Sequence, residues 1–230
     1  MHSNSTDLNH LFPALDIIYD FVTSWQGSIP GVACGWGCST CCTDQVTLTE
    51  LEAYRILAAL QSHTGGQPHF SRPCASDLIT TNEFAHACLN HIEQKQPDFP
   101  NNPGPCPFLS SDSECTIYQA RPLMCRLFIS MSPCADAGEA ALPEYIFLTQ
   151  IILQQLTEHL AEGLRWGNLS TMLLSCKNPP SDSFQDLRRC RKIPGFPFSM
   201  EEKRQIEIQL QPLFQELCRG GWLSEGFNLG

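Results

Sequence analysis

A helical rhythm of apolar residues runs through most of this chain. Leu8, Leu11, Leu15, Ile18, Val22 and Trp25 recur every three or four residues and predict a helix over residues 8 to 26, with Pro13 tolerable only near its first turn. Gly27 to Gly37 break that rhythm. It resumes at Leu51, Tyr54, Ile56, Leu57 and Leu60, up to His63, behind a T-x-x-E sequence at Thr47 to Glu50 that reads as a capping box. A third helix is expected from Leu78 to Gln96 and a short helical turn from Tyr118 to Phe128. Pro143 to Leu164 follows as an amphipathic helix whose first turn suits Pro143. Ser199 to Glu202 is a second capping box, opening a helix to about Cys218 that ends at Gly220 and Gly221.

Between the helices the pattern points to irregular chain. QPDFPNNPGPCPFL, from Gln96 to Leu109, carries five prolines and can be neither helix nor central strand. Small residues from Ser132 to Ala141 read as a linker, and few Val- or Ile-rich strands are visible. The expected fold is mainly α: one small, irregular helical domain over residues 1–230, with Cys-rich loops around one or two metal centres. Residues 30–135 form its cysteine-cluster core and residues 140–230 a helical C-terminal extension.

Composition changes this picture in two ways. With 24 acidic and 14 basic residues the net charge is −10, which argues against nucleic acid or an anionic membrane as partner, since both need a basic surface. The N-terminal stretch has neither the basic region nor the long apolar run of a secretory signal, and a cytoplasmic location is expected. Against that background, 13 cysteines in 230 residues is anomalous, and cysteine-rich chains of reducing compartments are more often metal proteins than disulfide frameworks.

The cysteines are unevenly spaced. Cys34, Cys38, Cys41 and Cys42 fall within nine residues, and Cys106, Cys115, Cys125 and Cys134 form a looser second group. Zinc or an iron–sulfur centre needs about four thiolates around one point. Gly35, Gly37, Ser39 and Thr40 let the backbone wrap and turn N–H groups toward sulfur. Adjacent Cys41 and Cys42 point apart and should serve different purposes or different centres. Eight clustered cysteines can fill two four-coordinate sites, or one centre with further thiols beside it. Arg121 and Arg126 flank Cys125 and can either offset thiolate charge or cap loop carbonyls. Trp36 can shield a centre from water or simply pack.

Together, the C-x3-C-x2-CC of Cys34 to Cys42, the PCPFL around Cys106 and the C-x-I-Y-x-x-R-P-x-x-C-R of Cys115 to Arg126 resemble the YkgJ-like cysteine-cluster family over roughly residues 30 to 135. The resemblance implies a zinc- or iron-chelating, or iron–sulfur, centre. It assigns Cys34, Cys38, Cys41, Cys42, Cys106, Cys115 and Cys125 to the motif, with Cys134 matching more weakly. An iron–sulfur centre in a redox or accessory role, served by a protein partner or electron donor, is the first expectation, and zinc the second. A similar cluster in proteins resembling flagellin lysine methylases makes a protein-modifying enzyme the alternative. Cys34-x3-Cys38-x2-Cys41 also has radical S-adenosylmethionine spacing, but Thr40 stands where such enzymes usually carry an aromatic, and repeated strand–helix units are missing.

The other cysteines, Cys74, Cys88, Cys176, Cys190 and Cys218, are expected as small buried residues. Cys176 and Cys190 bracket a loop that could form a weaker third site. His86 and His91 beside Cys88 read as solvated or core histidines, and no Ser/His/Asp arrangement or nucleotide fingerprint is found.

Overall fold

A computed structural model describes residues 8–35, 37–61, 70, 78–95, 103–134, 140–177 and 187–230. Among them are seven α-helices, α1 (Phe12–Ser28), α2 (Glu50–Gln61), α3 (Thr81–Leu89), α4 (Leu123–Leu127), α5 (Glu144–Leu160), α6 (Leu169–Lys177) and α7 (Met200–Arg219). A 3-10 turn, Tyr118–Ala120, precedes α4, and three short strands, β1 (Thr47–Thr49), β2 (Arg165–Asn168) and β3 (Arg188–Arg189), form an antiparallel sheet in that order.

The larger core joins α1, α4, α5 and α7. Leu15, Ile18 and Val22 of α1 meet Ile146, Ile152 and Leu153 of α5, with Ile206, Leu210 and Leu213 of α7. Residues beyond 140 therefore supply much of this core, together with the N-terminal helix. A second, smaller core joins Val46 and Leu48, Ala53 and Ile56 of α2, Phe108, Ile117, and Met172 and Leu173 of α6. Cys106, Cys115 and Cys125 pack directly on it.

The helix at the second capping box starts where expected. Ser199 Oγ accepts the Glu202 amide at 3.3 Å. The first box is shifted by two residues. Thr49 and Glu52, not Thr47 and Glu50, make the reciprocal pair, with Glu52 N–H on Thr49 Oγ1 and Thr49 N–H on Glu52 Oε2 at 2.9 Å. Thr47 lies in β1 opposite Asn168. Glu50 is buried and takes a two-pronged hydrogen bond from Arg165, at 2.7 Å and 3.0 Å. Both registers satisfy T-x-x-E, and the cross-chain Arg165 decides between them.

Three further differences separate the fold from the sequence pattern. Helix α3 stops at Leu89, seven residues short of Gln96, after a Thr80/Glu83 capping box. Helix α5 stops at Leu160, because Gly163 at φ 79 turns the chain into β2. Helix α6 follows with no helix expected there; Asn168 Oδ1 caps it by accepting the Ser170 amide at 2.9 Å.

Candidate metal centre

The thiols are carried on loops that the two cores hold in place. After α1, the Cys34–Cys42 loop makes two successive turns, with the Cys38 amide on Gly35 O at 3.1 Å and the Cys42 amide on Ser39 O at 2.9 Å. Gly37, at φ 81, sits in the first of them, where an L side chain would be strained. Trp36 lies outside the described residues.

The loop then runs beside the proline segment. Asp44 N–H donates to Gly104 O at 2.9 Å, Cys106 N–H to Cys42 O at 3.0 Å, and Thr43 bridges to Pro105. A Cβ at Gly104 would lie 2.8 Å from Asp44 Oδ2, so any larger residue there displaces the Asp44 side chain. Phe108 anchors the segment with only 2% of its surface exposed, a burial that contributes about 2–3 kcal/mol.

Residues 106 to 117 present two thiols in the same way. The amide two residues after each cysteine, Phe108 for Cys106 and Ile117 for Cys115, faces its sulfur and works against the upward push of burial on the thiol. Such N–H groups favour the thiolate. The same stretch is closed by the Leu109–Cys115 bridge and by Thr116 N–H on Phe108 O at 2.9 Å.

Cys125 is brought in by α4. That helix has no side-chain cap of its own; instead the Leu123 amide donates to Glu52 Oε1 of α2 at 2.7 Å. Beyond α4 the chain doubles back along the first cysteine loop. Ala33 N–H donates to Ser130 O at 2.8 Å, and the Ser130 amide faces the Cys34 thiol. The buried Ser130 hydroxyl accepts the Ala141 amide at 3.0 Å and donates to Ser132 O at 2.6 Å, which fixes the bend leading to Cys134.

Seven thiols, those of Cys34, Cys38, Cys41, Cys42, Cys106, Cys115 and Cys125, thus line one cavity of about 420 Å³. Cys134 lines a neighbouring cavity of about 560 Å³ together with Cys34, Cys38 and Cys41. Among the described residues, no three Cys, His, Asp or Glu side chains converge closely enough to hold a single ion as they stand. Burial pushes most of these thiols above their ordinary value, Cys106 to about 11 and Cys41 to about 12, and neighbouring thiols push the same way. A cation is what relieves such a cluster, because it lets the thiols ionise together.

Arg121 and Arg126 diverge. Arg121 lies over the Tyr118 ring at 4.0 Å and beside Cys42, Cys115 and Cys125, whose thiols its charge pulls down. Its buried Nε–H has no acceptor among the described residues. Arg126 borders the same cavity but donates to Arg121 O at 3.0 Å and Gln119 O at 2.6 Å and stacks on Tyr19 at 4.1 Å. It therefore caps loop carbonyls. The thiol set, the N–H groups facing sulfur and an orphaned cationic donor together fit a thiolate-bound metal centre.

The remaining cysteines are dispersed. Cys190 is buried in the larger core, Cys176 is half-buried beside Arg165, and Cys218 donates to Ser224 O. Cys88 is exposed rather than buried, on the outer side of α3 with His86 and His91, because Asn82, Ala85 and Ala87 turn inward. Cys74 lies outside the described residues. Glu52 and Ser130, which position the thiols, were not singled out by sequence, whereas Phe108 lies in the PCPFL motif. Glu52 left a signal in the second T-x-x-E, and Ser130 left none.

No described helix is long and apolar enough to cross a membrane. No curated protein and no solved structure matches the chain. One family model does, over residues 33–146, from the residue before Cys34 into the first turn of α5. Residues 33–146 match the CxxCxxCC family, described as a "putative zinc- or iron-chelating domain".

Proposed function

We propose that the chain holds iron–sulfur chemistry on these thiols and serves in a redox or accessory role, exchanging electrons with a protein partner. The observation that carries this reading is the cavity itself, ringed by seven thiols and one carboxylate, Glu114. Soft thiolate donors select zinc or iron–sulfur centres over hard cations. The thiol-lined cavity of about 420 Å³ has room for a body of several atoms. Arg121 supports a redox role, because a cation beside the thiolates stabilises the more negative, reduced state.

Metal and acid-labile sulfide analysis of protein purified without oxygen, with its absorption spectrum, tests this. Iron and sulfide in equal amounts, with a broad visible absorption that bleaches on reduction, are expected. Colourless protein carrying stoichiometric zinc overturns the redox reading. Cys218→Ala is expected to leave the metal content unchanged.

A second reading, a protein-modifying enzyme of the lysine methylase type, is favoured by one observation. The 560 Å³ cavity lies against α5, between Leu142, Phe147 and Gln150 on one side and Cys34, Cys38 and Cys41 on the other. Apolar walls with a few polar groups are what a small-molecule site requires. Calorimetric binding of S-adenosylmethionine would support this reading, and no heat at millimolar ligand would remove it.

A further inference from the structure

We infer that the chain carries two separate four-thiolate centres, one built by Cys42, Cys106, Cys115 and Cys125 and the other by Cys34, Cys38, Cys41 and Cys134. This rests on the metal-binding reading above and deepens it. The division follows from where the two cavities meet. Cys134 borders only the larger one, and Cys42, Cys106, Cys115 and Cys125 border only the smaller. Cys34, Cys38 and Cys41 stand between them, lining both.

The backbone enforces the same split. The Cys42–Thr43–Asp44 segment is bound to the proline segment through Cys106 N–H on Cys42 O and Asp44 N–H on Gly104 O, which draws Cys42 toward Cys106. The stretch before it is bound elsewhere: Ala33 donates to Ser130 O, which places Cys34 beside the bend that carries Cys134. The backbone thus ties Cys42 to Cys106 on one side and Cys34 to the bend before Cys134 on the other.

The two centres are unequal. The first sits on the smaller core beside Arg121. The second has Cys38 and Cys41 exposed to solvent and apolar neighbours in Phe128 and Phe147, themselves 42% and 53% exposed. The second centre is thus the more accessible to chelators and to a docking partner.

Metal stoichiometry decides the matter. The full chain is reconstituted without oxygen, once with ferrous iron and sulfide and once with zinc, and metal per chain is measured for wild type, Cys134→Ser, Cys34→Ser, Cys106→Ser and Cys115→Ser, with circular dichroism as the check on folding. Wild type is expected to bind two centres' worth of metal. Each of the four variants is expected to keep half, and double variants within one quartet to keep that same half. Combining Cys134→Ser with Cys115→Ser is expected to remove nearly all of it. One centre's worth in wild type, unchanged by Cys134→Ser and abolished by Cys115→Ser, overturns the two-centre inference and leaves the metal-binding reading standing. No metal in wild type under either regime overturns both. Cys34→Ser changes a loop position, and wild-type stoichiometry needs no variant, so a misfolded Cys106 or Cys115 variant still leaves a decision.

Discussion

Glu52 and Leu123, 71 residues apart, are joined by a 2.7 Å hydrogen bond from the Leu123 amide to Oε1. The same carboxylate accepts the Tyr19 hydroxyl at 3.0 Å and the Thr49 amide and hydroxyl at 2.9 Å and 3.0 Å. One buried side chain thereby ties α1, β1 and α2 to the start of the helix that bears Cys125.

Replacing Glu52 with Ala strands the Leu123 and Thr49 amides and the Tyr19 hydroxyl in a buried setting. The expected cost is about 3 kcal/mol, since each unpaired buried donor costs about 1–3 kcal/mol and the losses overlap. Urea denaturation reads this directly. An unchanged midpoint would show that α4 is held by packing alone.

Glu158 predicts a pH dependence that the cysteines do not share. It is buried in α5, where loss of hydration pushes its carboxyl up to about 7, against the pull of the Asn82 and Thr81 amides of α3 that it accepts at 2.8 Å and 2.7 Å. Its ordinary value is 4.5. Between those values the folded chain holds a proton that the unfolded chain has released, so stability falls as pH rises from about 4.5 to about 7, by about 3 kcal/mol in all. Glu50 acts in the opposite sense. Burial raises its carboxyl, but the Arg165 guanidinium and amide outweigh that and hold it below the usual range. Its contribution is present above 4.5 and lost only at lower pH. The melting temperature should therefore drop from pH 5 to pH 8, and Glu158→Gln should flatten that slope; an equal slope in the variant would assign it elsewhere.

The two arginines should separate in experiment. Arg121→Gln is expected to weaken metal retention by about 10- to 100-fold in chelator competition, the usual effect of removing a partner of the ligands, with little change in urea midpoint. Arg126→Gln loses two carbonyl contacts and the Tyr19 stack. It should cost about 1–2 kcal/mol of stability while leaving retention close to wild type. The reverse pattern would mean that Arg126 is the one acting on the thiolates.

What could be read from the sequence divides along a physical line. Helices α1, α5 and α7 are long enough for their apolar period to show, and Ser199 with Glu202 marks a start without help from the rest of the fold. The sheet was illegible because its strands have three, four and two residues, too few for alternation to register. In VTLTELE two capping boxes overlap, and only the distant Arg165 selects between them. The place of Cys134 could not be read from its spacing, since it depends on Ser130 folding the chain back onto Ala33.

The pairing of β1 with β2 also sets a clock. Thr47 meets Asn168 only after about 120 further residues have been synthesised, which at roughly 5–20 residues per second takes about 6 to 24 s. During that interval Cys34 to Cys42 have left the ribosome while the sheet that backs the smaller core is still incomplete. The nascent chain therefore exposes these thiols for seconds before a folded site exists.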